Sequence, residues 1–81
     1  MNVRVSFYSY FKELTGTAEL TEPLPEGSTI DDLFKLLGHR FPKLAGMRKA
    51  TLIAVGVEYQ GGDFVLKEGD EVSMFPPVQG G

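Results

Sequence analysis

The segment TIDDLFKLLGHRF, residues 29–41, determines the architecture that this chain can adopt. Thr29 is a suitable helix N-cap, and Asp31 and Asp32 follow in the first turn, where the helix dipole favours negative charge. Pro42 ends the helix. The apolar side chains form one stripe at helical spacing, made of Ile30, Leu33, Phe34, Leu37 and Phe41 and widened by Leu36. Because no other segment predicts a helix of this length, the stripe has to pack against a sheet.

Before this helix, two segments have the patterns of β-strands. Residues 3–9 alternate apolar and polar side chains, which is the period of a half-buried strand. Residues 10–16 predict a single helical turn that ends at Gly16. Residues 17–24 predict an edge strand, because Pro23 lacks a backbone donor. A hairpin therefore joins the first two strands.

After the helix, three more segments predict strands. Residues 51–57 are β-branched and almost wholly apolar, as in a central strand, and residues 64–66 are short and extended. Residues 71–75 alternate, with Val72 and Met74 pointing inward. The order strand, strand, helix, strand, short strand, strand predicts an α+β fold. It is the ubiquitin-like β-grasp, in which a mixed sheet packs on one main helix.

The composition is that of a small globular protein and excludes several kinds of site. The 81 residues suffice for one domain, and a formal net charge of −3 with a pI near 5.0 argues against nucleic acid as a partner. No apolar run approaches the ~20 residues of a membrane span, so we expect no membrane partner and a cytoplasmic location. The absence of cysteine excludes disulfides and thiol catalysis. The single histidine, His39, lacks converging ligands, so we expect no metal site.

The last seven residues, 75–81 (FPPVQGG), are chemically the most suggestive part of the chain. Pro76 and Pro77 hold the backbone extended. Gly80 and Gly81 have no Cβ, so the backbone can enter a channel that would sterically exclude a side chain. A stiff, narrow peptide that ends in an unhindered carboxylate is suited to enter the active site of another protein. A carboxylate is a poor electrophile, so a partner that holds ATP and Mg²⁺ would have to activate it as an acyl-adenylate. The adenylate can then accept sulfur or an amine.

Phe75 is the residue that we expect to dock on such a partner. The alternation of residues 71–75 turns its ring to the outer face of the sheet, just before the tail. Exposed aromatic side chains are frequent anchors of interfaces. An alternative stays open, in which a different register packs Phe75 into the core. Residues 1–74 are thus predicted to form the β-grasp domain and residues 75–81 its extended tail.

Residues 68–81, EGDEVSMFPPVQGG, closely resemble the C-terminus of the molybdopterin synthase small-subunit family (MoaD type), a branch of the MoaD/ThiS ubiquitin-like sulfur carriers. That family ends in a Gly-Asp-Glu-Val strand, then Phe-Pro-Pro-Val, one variable residue and Gly-Gly. Residues 7–16, FYSYFKELTG, are similar to the family's first strand and turn, with Lys12 in place of the usual arginine. At Gly56 the family usually has asparagine, which glycine can replace on backbone grounds. The resemblance covers the whole chain.

The resemblance implies a sulfur carrier subunit of molybdopterin synthase, which is not an enzyme by itself and binds no metal or cofactor. A ubiquitin-activating-like adenylyltransferase, using ATP and Mg²⁺, would adenylate the Gly81 carboxylate, which would then become a thiocarboxylate. The chain would form a heterotetramer with the large synthase subunit. Its tail would enter that subunit and give its sulfur to the pterin precursor in molybdenum cofactor biosynthesis. The remaining residues assigned by the resemblance are Phe75 and Lys12 for partner binding, and Pro76, Pro77, Val78, Gln79 and Gly80 for the inserted tail.

Three other functions remain open at this point. The first is a sulfur carrier of the same fold that serves another pathway, such as thiamine, cysteine or tRNA thiolation, although the Phe-Pro-Pro-Val sequence argues against thiamine. The second is a protein modifier that is joined to lysines as ubiquitin is. The third is an interaction domain with an inert tail, for which deletion of Gly80 and Gly81 would leave function untouched.

Overall fold

The structure, a computed structural model, describes residues 1–77, so the predictions for Val78, Gln79, Gly80 and Gly81 lie outside the described residues. Two α-helices and five strands occur in the described part. In chain order they are β1 (Asn2–Phe7), α1 (Phe11–Thr15), β2 (Glu19–Pro23), α2 (Ile30–Arg40), β3 (Leu52–Val55), β4 (Glu58–Tyr59) and β5 (Glu71–Phe75), with a 3₁₀ turn at Arg48–Ala50.

The five strands form one mixed sheet in the order β2-β1-β5-β3-β4. Strands β1 and β5 are parallel, and the other neighbouring pairs are antiparallel. Strand β2 is an edge strand joined to β1 as a hairpin, as predicted. Helix α2 is the main helix, so the predicted architecture of a mixed sheet on one helix is confirmed. Within residues 1–77, no helix is both long enough and apolar enough to cross a membrane.

The predicted N-cap of α2 is confirmed and forms a capping box. The backbone N–H of Asp32 donates to the Thr29 hydroxyl at 3.2 Å, and the backbone N–H of Thr29 donates to the Asp32 carboxylate at 2.9 Å. Hydrogen bonding from the Thr29 backbone, followed by that from its side chain, holds the pKa of Asp32 below its ordinary value. Asp31 instead pairs with Arg48 at 3.1 Å, so the two adjacent carboxylates act separately.

The core lies between α2 and one face of the sheet. Leu36 is not part of it, because it precedes the buried Leu37 by one residue, about 100° around the helix, and is 40% exposed. The prediction that Leu36 widens the apolar stripe is therefore wrong. Leu44, in the loop after α2, is buried although the sequence analysis gave it no role. The core residues are Val3, Val5, Phe7, Phe11, Leu24, Ile30, Leu33, Phe34, Leu37, Leu44, Ile53, Leu66, Val72 and Met74.

The predicted short strand at residues 64–66 is also wrong. The backbone of this segment is used by the start of α2, because Ile30 N–H donates to the Phe64 carbonyl at 3.1 Å and Leu66 N–H donates to the Ser28 carbonyl at 2.8 Å. Val65 forms only an isolated bridge. The segment thus accepts a hydrogen bond from a backbone N–H in the first turn of α2. Such an N–H has no acceptor within the helix itself.

The fourth strand is instead β4, which follows β3 after a two-residue turn. Gly56 is the first residue of that turn and has φ +62°, the conformation that the first position of a type II′ hairpin turn requires. Glycine adopts it without a steric penalty, and asparagine tolerates positive φ better than most residues. Gly56 therefore stands where the backbone favours glycine, and asparagine is among the few other residues that such a position tolerates.

The edge strand β2 is fastened to the helix by an ion pair. Glu22 points inward and is 2% exposed, and Nη2 of Arg40 donates to its carboxylate at 2.9 Å. Arg40 is the last residue of α2, so the pair joins the sheet edge to the C-terminal end of the helix. A buried carboxylate requires such a partner, since burial without one is costly.

Candidate functional site

The tail leaves the fold beside the first turn of the chain. Because β1 and β5 are parallel, their C-terminal ends meet at the same edge of the sheet. The N–H of Tyr8 donates to the Met74 carbonyl at 3.0 Å and holds the two ends together. Strand β5 continues through Phe75, so Pro76 is the first residue after the sheet. The start of the tail is therefore fixed next to the segment between β1 and α1.

Phe75 lies on the face of the sheet opposite α2. It pairs with Leu52, and its neighbour Met74 is fully buried in the core. Since successive side chains of a strand point to opposite faces, the ring of Phe75 points away from the core. The alternative in which Phe75 packs into the core is wrong.

Two tyrosines flank the Phe75 ring. The ring centroid of Tyr8 lies 5.9 Å from that of Phe75 with an interplanar angle of 74°, and the centroid of Tyr59 lies 5.7 Å away at 62°. Both are edge-to-face arrangements, each of which contributes about 0.5–1.5 kcal/mol beyond the burial of area. Phe75 is consequently half-buried in a cluster and held in one orientation, rather than standing alone on the surface.

These three rings and Val57 form a surface that we call the aromatic patch. It borders a shallow depression of about 500 Å³, whose floor includes Ala54 and Ser73. Val57, at the tip of the β3–β4 turn, is 99% exposed, and Tyr59 is 63% exposed. Groups of exposed aromatic and aliphatic side chains of this kind are frequent at interaction surfaces.

Of the residues in this patch, only Phe75 was predicted from the sequence. A signal for Tyr8 was available, because it occupies the outward phase of β1 in the alternation of residues 3–9. Tyr59 and Val57 had no such signal, since the hairpin that places them next to β5 was not recognised.

Lys12 lies on α1, and its side chain is exposed. It does not line the depression of the aromatic patch. It makes no ion pair with another of the residues 1–77. The structure thus places Lys12 on α1, the short helix that follows β1. The roles of Lys12 and Phe75 in partner binding stay predictions.

The other titratable groups do not converge on a catalytic site. His39 is on the exposed side of α2. Within the part of the chain that the structure describes, no three or more histidine, aspartate or glutamate side chains are grouped so that they could hold a metal ion. The aromatic patch next to the start of the tail is accordingly the candidate functional site.

Comparison with known proteins shows what the whole chain is similar to. The model of the ThiS family matches residues 5–81. The human molybdopterin synthase sulfur carrier subunit is 35% identical to this chain over 82 residues, which cover 98% of this chain and 93% of the human protein. A molybdopterin converting factor subunit 1 from Pyrococcus furiosus, described as putative, has a structure that matches with a TM-score of 0.89 and 32% identity, covering 96% of this chain and 99% of that one.

Two further solved structures share the fold. Small archaeal modifier protein 1 from Methanosarcina acetivorans has a TM-score of 0.79 at 26% identity, covering 99% of this chain and 96% of that chain. Subunit 1 or 2 in the complex of the molybdopterin-converting factor from Helicobacter pylori matches with a TM-score of 0.69 at 22% identity, and each chain is covered completely. The fold is therefore the ubiquitin-like β-grasp, and the chain belongs to the MoaD/ThiS ubiquitin-like sulfur-carrier family.

Proposed function

We propose that this chain is the sulfur carrier subunit of molybdopterin synthase and that it carries sulfur as a thiocarboxylate on Gly81. The family and the molybdopterin synthase subunits among its relatives support the proposal. The observation that carries it is the position of Phe75, which is both the last residue of the sheet and part of the aromatic patch. A partner that binds the patch would have the tail start at a fixed position on its surface, because only residues 76–80 separate Phe75 from Gly81.

The chemistry begins with activation of the Gly81 carboxylate. A carboxylate oxygen attacks the α-phosphorus of ATP, pyrophosphate leaves, and an acyl-adenylate forms. Hydrosulfide from a sulfur donor then adds to the acyl carbon and displaces AMP, and loss of the proton from sulfur leaves the thiocarboxylate. ATP and Mg²⁺ belong to a ubiquitin-activating-like adenylyltransferase, and this chain supplies no catalytic group.

The tail then delivers the sulfur to the large subunit of the synthase. Pro76 and Pro77 have a fixed φ, so little conformational entropy is lost when the segment is inserted. Gly80 and Gly81 have no Cβ and pass through a channel too narrow for side chains. The large subunit holds the pterin precursor and catalyses its conversion, and the sulfur that it receives becomes part of the dithiolene.

The aromatic patch is the surface that docks on the large subunit. Phe75 is oriented by Tyr8 and Tyr59 before any partner binds, which reduces the ordering cost of association. Two carriers and two large subunits form a heterotetramer in this proposal. The solved complex of subunits 1 and 2 of the Helicobacter pylori molybdopterin-converting factor, one chain of which matches this fold, supports an assembly with a second subunit.

The deciding experiment is the intact mass of untagged protein from its native host. We expect a population heavier by the difference between sulfur and oxygen, which disappears when the protein is mixed with the large subunit and the pterin precursor. A chain extended by one residue after Gly81 is the control, and it should show only the unmodified mass. Exclusively plain carboxylate in the native protein, with the synthase active in the same cells, would refute the proposal.

A protein modifier is the second candidate. It is favoured by the likeness to the Methanosarcina acetivorans small archaeal modifier protein at 26% identity. In that function the acyl-adenylate passes to lysine amines, so isopeptide adducts ending in Gly81 should appear on other proteins. Mass spectrometry of tryptic digests from the same cells distinguishes the two functions.

A further inference from the structure

The charges of this chain are strongly segregated. Residues 35–49 contain five of the eight Lys and Arg residues together with the single histidine, and they contain no Asp or Glu. The remainder of the chain has three basic and eleven acidic residues. An acidic protein thus carries one strongly basic region, which comprises the C-terminal half of α2 and the loop that follows it.

This region contains a groove whose rim is basic. Lys35 and His39 are four residues apart on α2 and therefore lie on the same side of the helix. Arg48 forms the opposite side of the groove, and we call this site the basic groove. The guanidinium of Arg48 is held in place, because it lies 6.0 Å from the centroid of the Phe34 ring and Nε donates to Asp31 at 3.1 Å.

The floor of the basic groove is apolar and is formed partly by residues with small side chains. Gly38 and Phe34 are buried there, and the exposed Ala45 borders the depression. A Cβ built on Gly38 would stand 3.4 Å from the Cβ of Ala45, so helix and loop approach closely and leave a depression of about 250 Å³. This volume is below the roughly 300–1,000 Å³ of small-molecule sites. It is of a size to seat an apolar side chain of a peptide.

The basic groove and the aromatic patch lie on opposite sides of the molecule. Helix α2 packs through Leu33 and Leu37 on the core face of the sheet, whereas Phe75 and Tyr59 lie on the other face. A partner bound at one site therefore leaves the other site accessible.

We infer that the basic groove is a second docking site, which takes an acidic segment of a protein partner with one apolar side chain on the floor. The side chain of Lys35 makes no ion pair within residues 1–77, so its charge is available to a partner carboxylate. Arg48 is already paired with Asp31 and acts mainly by positioning. Nucleic acid fits less well, because the acidic remainder of the chain repels a polyanion that extends beyond the groove. This inference goes beyond sulfur transfer and does not depend on it.

The test is a titration of the isotope-labelled full chain with a synthetic peptide of glutamates and one central phenylalanine, followed by amide chemical shifts. We expect shifts in the second half of α2 and the following loop, and weaker binding at high salt. Lys35→Glu should weaken binding by roughly fivefold, the scale of one lost and one repulsive surface charge pair. Lys67→Glu changes the net charge equally outside the groove and should weaken it by less than about twofold.

Two further arms examine the apolar floor. Replacing the central phenylalanine of the peptide with glycine should weaken binding to the native chain. In the Ala45→Leu variant, whose larger side chain narrows the depression at its border, the effect of the same exchange should be smaller. Persistence of the full difference in that variant would show that the floor is not used.

Three outcomes would overturn the inference. They are an equal loss of binding in the Lys35→Glu and Lys67→Glu variants, tighter binding of a single-stranded RNA of matched charge, and self-association that Lys35→Glu abolishes. None of them bears on the proposed function, because the mass of the Gly81 thiocarboxylate is measured separately and the Lys35→Glu variant should still acquire it.

Discussion

Replacing Phe75 with alanine removes the centre of the aromatic patch and leaves the core intact. The substitution deletes two edge-to-face contacts, with Tyr8 and Tyr59, which together contribute about 1–3 kcal/mol to stability. If Phe75 is the anchor of the interface, its removal should also weaken binding to the large subunit by about 2 kcal/mol or more, roughly thirtyfold. Binding should be measured by calorimetry, and folding by urea unfolding of the same sample.

Met74→Ala is the matched control, because it alters the neighbouring residue on the opposite face. Met74 is fully buried, so the substitution should cost about 2–5 kcal/mol of stability. Under conditions in which the Met74 variant remains folded, its affinity for the large subunit should stay within about twofold of the native value. An unchanged affinity of the Phe75→Ala variant, or an equal loss in both variants, would refute the assignment of the patch as the docking surface.

Three other predictions concern the tail and the helix. Gly81→Ala should abolish sulfur transfer with no change in the urea midpoint, and full transfer by that variant would contradict the proposed tail mechanism. Leu33→Ala should cost about 2–5 kcal/mol of stability in urea unfolding, whereas Leu36→Ala should cost less than about 0.5 kcal/mol, and similar losses would contradict the observed helix face. The lowered pKa of Asp32 stabilises the fold above its ordinary value of 3.8, and this contribution is lost as the pH falls through the lower folded value, so the stability difference from Asp32→Asn should narrow in acid. A difference independent of pH would contradict the role of its charge in the cap.

The sequence predicted the parts of the fold that depend on local patterns. The N-cap of α2 at Thr29 and the edge position of β2 follow from a few adjacent residues. The prediction of a strand at residues 64–66 was wrong because the backbone of this segment forms hydrogen bonds with the start of α2, a contact that no local pattern encodes. The prediction for Leu36 was wrong because Leu36 lies about 100° around the helix from the buried Leu37, beyond the face that contacts the sheet. The partnership of Glu22 with Arg40 likewise joins residues distant in the sequence.

Of the aromatic patch, only the outward position of Phe75 was predicted from the sequence. Phe75 and the two prolines carry a signal in the sequence, whereas the rest of the aromatic patch is assembled by tertiary structure. Tyr8 reaches Phe75 through the parallel pairing of β1 with β5, and Tyr59 reaches it through the β3–β4 hairpin. Pairings of this kind depend on contacts between segments far apart in the chain, which a pattern within one segment does not contain.

Strand β5 connects the stability of the fold with recognition of a partner. Its inward residues, Val72 and Met74, belong to the core, and its outward residues include Ser73 and Phe75 at the aromatic patch. A shift of one residue in the register would exchange the two faces, burying Phe75 and exposing Met74. The burial of Val72 and Met74 therefore holds Phe75 on the outer face. The apolar core that stabilises the domain thus also determines where the tail begins and which side chain, Phe75, faces a partner next to it.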